Sequence, residues 1–202
     1  NKLGKEVRRS IFKPYPSCRF THPTLDAVRV AVSKNKIDVK DIESIRIKTI
    51  SHLAPPSFFS DPNPTTIVDA QFCAPYAIAM VLLGIPRGPD WYSEHQINSK
   101  DVAQLASKVK IEGDEKEDRR RSEEGKWGAT ASVHTKDGRT ATEYVKYAKG
   151  EPENPLNVGE LRQKFKELAR PIVGSKVDSV IDTIVGLEKI QDMSRLSEML
   201  RA

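Results

Sequence analysis

The stretch KPYPSCRFTH, Lys13 to His22, holds an ammonium group, a thiol and an imidazole within a few residues. A lysine on stiff backbone can clamp a carboxylate, or serve as a base where burial or a second cation lowers its pKa. A histidine at a helix start can move a proton. Cys18 can act as a nucleophile, although a cysteine is often only a small packed residue. Each has a plainer reading: Lys13 on the surface, Cys18 in a core, His22 anchoring a loop. Elsewhere Cys73 falls in an apolar run and reads as packing. His52, His95 and His134 are scattered with no metal-ligand spacing. Two cysteines are too few for a disulfide framework or a zinc site. The chain has no glycine-rich phosphate loop and no G-x-S-x-G.

Those residues need elements to position them. Pro14 and Pro16 push the residues before them away from helical geometry, so residues 5–20 read as extended or looped. A helix fits from Pro23 to Lys34, with the proline in the first turn and Leu25, Val28 and Val32 on one face. A half-buried strand follows, Ile42 to Ile50, where Ile45, Ile47 and Thr49 alternate with Arg46 and Lys48. The proline-rich loop from Ala54 to Pro64 leads through Thr65 or Thr66 into one long apolar helix ending at Leu83, kinked by Pro75. A helix from Ser99 to Ser107 and a strand from Lys108 to Glu112 come next. The charged run from Gly113 to Lys126 reads as a solvated, mobile loop. Asp137-Gly138 between two alternating runs predicts a hairpin. Two amphipathic helices close the chain, one with Leu161, Phe165 and Leu168 on a face, the other with Val177, Val180, Ile181, Ile184 and Leu187. Both faces need partner surfaces. The expected class is α+β, an antiparallel sheet with helices packed on one face.

The 202 residues carry 38% hydrophobic and 30% charged side chains, lean for a self-contained globule but far from disordered. No apolar run approaches the ~20 residues of a membrane span. The basic start lacks the apolar core of a signal peptide. The first residue is Asn rather than Met, and a fragment or processed chain is expected. A reduced, cytoplasmic setting is the default for two cysteines. The net charge of +5 is compatible with ordinary surface charge or with small polyanions. The dispersed Lys and Arg and the missing aromatic-basic motif speak against nucleic acid.

Three blocks in order, FKPYPSCRFTHPTLDAV (Phe12 to Val28), AQFCAPYAIAMVLL (Ala70 to Leu83) and AKGEPENPLNVGELRQKFKELA (Ala148 to Ala169), resemble the C-terminal part of the MmgE/PrpD family. That family includes 2-methylcitrate dehydratases, cis-aconitate decarboxylases and an iminodisuccinate epimerase. The resemblance implies an α+β lid domain over residues 1–154. It implies that helices in 155–202 return to an all-helical domain whose N-terminal half lies outside this chain. It implies an active site between the two, to which the lid gives Lys13 and His22 as catalytic residues. Lys13, Cys18 and His22 would contact the substrate, a small polycarboxylate. Where this chain has Cys18 the decarboxylase branch has a histidine, which argues against cis-aconitate decarboxylation. Dehydration or hydration of a 2-methylcitrate-type substrate is the leading expectation. Epimerisation of a dicarboxylate is the alternative, and a catalytically silent α+β binding module is the alternative of another class. The resemblance further implies a homodimer, no cofactor and no metal, and neither nucleic acid nor membrane as partner.

Overall fold

The computed structural model describes residues 4 and 9–201. The sequence reading of the basic start and of the first part of the extended stretch, residues 1–3 and 5–8, lies outside them. The chain forms two compact units, Asn1–Pro155 and Leu156–Ala202.

The first unit is built on a four-stranded sheet, β1 (Ile42–Thr49), β2 (Val109–Gly113), β3 (Ala129–Thr135) and β4 (Thr140–Val145), in the order β2-β1-β3-β4. The α+β class is as expected. The sheet is mixed, not wholly antiparallel: β1 pairs antiparallel with β3 but parallel with β2. A parallel pair needs a long crossover. Here the chain between Thr49 and Val109 supplies it, carrying α2 (Ile67–Phe72), α3 (Ala74–Leu82), α4 (Glu94–Ile97) and α5 (Lys100–Ala106). Asp137-Gly138 turns β3 into β4, with Gly138 at φ +86°.

Helix α1 (His22–Lys34) packs on β3 and β4 and begins with Pro23 in its first turn. Leu25, Val28 and Ala31 of α1 join the same core as Ile45 and Ile47 of β1. Ala129, Ala131 and Ala141 keep the β3–β4 surface low enough for the helix to approach. Burial of each isoleucine contributes about 2 kcal/mol.

Two stretches depart from the sequence reading. The single kinked helix expected through Pro75 is two helices, broken at Cys73. Pro75 has no N–H for the Gln71 carbonyl, and its ring crowds that carbonyl. The chain therefore stops and restarts, with Cys73 Sγ accepting the Tyr76 N–H at 3.2 Å as an N-cap. The charged run is no loop. It is helix α6 (Glu115–Glu124), capped by Asp114 and ended by Gly125 at φ +66°. Glu115, Glu117 and Asp118 crowd its first turn, where the helix dipole favours anions. Its inner face is polar and buried. Glu117 accepts from Arg120 at 3.0 Å, from the Gly128 N–H at 2.6 Å and from the Tyr144 hydroxyl at 2.8 Å. Caps at both ends and the matched Glu117 oxygens hold this charge run as a helix.

The second unit holds α7 (Val158–Val173), α8 (Val177–Val185) and α9 (Ser194–Met199). Asn157 and Glu160 form a capping box at the start of α7. Phe165, Ala169 and Val173 pack on Val177 and Ile181, and Arg162–Asp182 at 3.0 Å flanks them. Val158, Ile172, Val185 and Met193 stay exposed. Among the described residues no helix is long and apolar enough to cross a membrane.

Two outcomes are expected. Arg120→Ala strands the Glu117 carboxylate in a buried site and costs about 3 kcal/mol in urea denaturation; a loss under about 0.5 kcal/mol, typical of a surface change, would refute the anchoring role. Hydrogen bonds from Thr135 and then Arg139 hold the Asp137 carboxyl down to about 2. That depressed value means the hairpin turn keeps this contribution above about pH 3.9, the ordinary carboxylate value, and loses it as pH falls through 2. In an NMR titration Asp137 therefore protonates near pH 2, and Thr135→Val raises its midpoint.

Candidate active site

The Lys13–His22 loop is held from several directions. Phe12 N–H bonds the Gly150 carbonyl at 3.0 Å, and the Tyr92 hydroxyl bonds the Pro16 carbonyl at 2.7 Å. The Cys18 N–H bonds the Gln71 carbonyl at 2.8 Å. That carbonyl is the one Pro75 leaves without a helical partner, so the break between α2 and α3 becomes the anchor of Cys18. Gly150, at φ +90°, has room for no side chain, since a Cβ would strike the Phe12 carbonyl. Ser17 Oγ and Thr21 Oγ1 bond each other at 2.9 Å and close the loop onto α1.

Two of the expected site residues meet at one atom. Lys13 Nζ donates to the Ser17 carbonyl at 3.2 Å, and His22 Nε2 lies 3.2 Å from the same oxygen. A carbonyl only accepts, so Nε2 carries the imidazole proton. The two differ in access: Lys13 is exposed, whereas His22 is fully buried, at 0% exposure, edge-on to the Tyr15 ring at 5.3 Å. Cys18 is half-buried and reduced.

Sequence reasoning passed over the residue that organises this loop. Asp26, one turn after His22 on α1, is 3% exposed. Its carboxylate accepts from the Tyr15 hydroxyl and from the Lys149 N–H, each at 2.6 Å. Arg29 lies 3.8 Å away. Burial, and then the Asp26 charge, pushes the Tyr15 phenol well above its ordinary pKa, so Tyr15 stays a donor. Arg87 caps the Tyr15 ring at 4.6 Å. The available signal was a carboxylate amid the apolar residues of THPTLDAV. Nearby, Arg19 pairs with Glu151, which also takes Lys126 at 2.8 Å.

An aromatic cluster forms around Phe20, two residues after Cys18. Phe20 packs against His52 at 5.3 Å, Phe59 at 6.0 Å and Trp127 at 5.0 Å. Cys73 is buried as expected, but it also donates to the Asp61 carbonyl at 2.8 Å, and burial pushes its thiol up to about 12. The described residues include no group of three or more His, Cys, Asp or Glu able to hold a metal ion.

The loop thus joins three separated pieces of chain: Phe12 to Val28, the α2–α3 junction, and residues 148–151. It presents an exposed Lys13, while the exposed Arg29 and Arg87 lie by Asp26 and over the Tyr15 ring. A profile of the MmgE/PrpD C-terminal domain matches residues 15–188. The chain belongs to the MmgE/PrpD family. A curated relative from Mus musculus, described as cis-aconitate decarboxylase, is 29% identical over 199 residues. The alignment covers 94% of this chain and 39% of that protein, so this MmgE/PrpD chain spans about two-fifths of the relative. That relative is a lyase by name.

Asp26→Asn replaces one acceptor oxygen with a donor. With Tyr15 still bonded, the Lys149 N–H loses its partner, at a cost of about 1–3 kcal/mol. Hydrogen exchange at Lys149 should quicken while β3 and β4 remain protected. Unchanged exchange at Lys149 would show that Asp26 does not hold the return segment.

Proposed function

We propose that this chain is the lid and C-terminal part of an MmgE/PrpD lyase that dehydrates, or in reverse hydrates, a small polycarboxylate of the 2-methylcitrate type. The observation that carries the reading is Lys13: an exposed ammonium fixed to the Ser17 carbonyl at 3.2 Å, on a loop that the rest of the unit clamps in place. Dehydration removes a proton α to a carboxylate. The electron pair of that C–H bond becomes the new C=C bond as the β C–O bond breaks, and the departing hydroxyl takes a proton and leaves as water. Charge builds on the substrate carboxylate during proton loss, and a positioned cation stabilises it there.

Lys13 fills that role as carboxylate clamp. Cys18 lines the pocket beside it, and the family resemblance, in which the decarboxylase branch has a histidine here, favours dehydration over decarboxylation. His22 is walled in by Tyr15 and the loop, so it acts as a positioning residue. Its Nε2–H holds the Ser17 carbonyl that also holds Lys13. The proton-abstracting base belongs to the all-helical half of the enzyme, outside these residues. The exposed Val158, Ile172, Val185 and Met193 of the second unit support such a partner, as do Phe58, Ile67 and Val68 of the first.

In the complete enzyme, Lys13→Ala should lower kcat/KM for tricarboxylate dehydration by about 100-fold or more without moving Tm. His22→Gln keeps an N–H near the Nε2 position and should lose no more than about tenfold, the effect of one weakened hydrogen bond. Full activity in Lys13→Ala would end the carboxylate-clamp assignment.

A further inference from the structure

The face of the sheet opposite α1 is open. We propose that it carries a second site, for a small multivalent oxyanion, in a cavity of about 400 Å³ lined by Arg46, Lys110, His134 and Arg139. The proposal does not rest on the catalytic reading, because none of the residues of the Lys13 loop takes part.

Three observations point to it. First, Arg46 of β1 and Lys110 of β2 are direct neighbours in the parallel register. Like charges set side by side on adjacent strands destabilise a sheet, and Glu112 offsets this on the Arg46 side alone. Glu112 reaches Arg46 at 3.2 Å and Asp137 reaches Arg139 at 2.7 Å, but no acidic side chain among the described residues pairs with Lys110. Second, the β1–β3 register slips between Ile42 and Ser44, which face Thr135 and His134. Glu43 is the extra residue of this bulge, and bulges re-aim side chains at the margins of sites. The bulge lies at the wall of the cavity, where Glu43 is the one carboxylate among the lining residues. Third, two of the lining side chains have hydrogen-bond partners. Thr140 Oγ1 holds His134 Nδ1 at 2.9 Å, and Asp137 holds the Arg139 guanidinium.

The Lys110 ammonium, with the donors that Arg46 and Arg139 keep beyond Glu112 and Asp137, around a cavity of this size suits an anion with oxygens on two or more centres. Phosphoanhydrides and polycarboxylates share that chemistry. The test is an NMR titration of the 202-residue chain with pyrophosphate and, separately, with citrate, repeated for Lys110→Gln. The expected result is saturable shifts at Arg46, Lys110 and His134 at millimolar anion or below, weakened about tenfold or more in Lys110→Gln. The anion that produces them identifies the source. Without anion, Lys110→Gln should melt no lower than the parent chain, since it relieves the contact with Arg46; this separates lost binding from lost fold. Shifts from neither anion, shifts confined to the Lys13 loop, or equal affinity in Lys110→Gln would each overturn the proposal.

Discussion

The candidate site depends first on a buried carboxylate, Asp26. Asp26 would be costly to bury alone. It is buried because two short hydrogen bonds and a nearby arginine compensate its charge. Its donors come from distant places in the chain: Tyr15 from the loop before α1, and the Lys149 amide from the segment after β4. The same segment takes the Phe12 amide through Gly150 and receives Arg19 through Glu151. The loop that carries Lys13 and Cys18 is therefore shaped by tertiary partners more than by its own two prolines.

Pro75 shows how a local rule becomes a long-range contact. It breaks the helix by denying Gln71 a hydrogen-bond donor. The orphaned carbonyl then accepts the Cys18 amide, because a buried acceptor is costly when left unpaired. The interruption of one helix and the placement of a candidate site residue are one event.

The two faces of the sheet divide the unit's work. The inner face, isoleucine and alanine against α1, fixes the height and register of the loop at the helix start. The outer face carries the charges, with Arg46 beside Lys110 in the register and paired with Glu112. Helix α6 resolves the opposite problem. It buries Glu117 and Arg120 together with every inner oxygen matched, which pins the β3–β4 end of the unit to the segment after β2.

The sequence by itself determined much of the local structure. Helix α1, strand β1 and the Asp137-Gly138 hairpin follow from apolar period, turn chemistry and proline geometry, all of which act over a few residues. The ordered blocks also pointed to the family. The parallel pairing of β2 with β1 was not legible, because strand direction depends on where a long crossover returns. The charged run could not be read as a helix, because its stability lies in Gly128 and Tyr144, outside the run. Asp26 could not be ranked above any other helical aspartate until Tyr15 and Lys149 were brought to it. The contrasting positions of Lys13, open to solvent, and His22, sealed beneath the same carbonyl, were likewise decided only by the fold, since burial is a property of the whole packed chain.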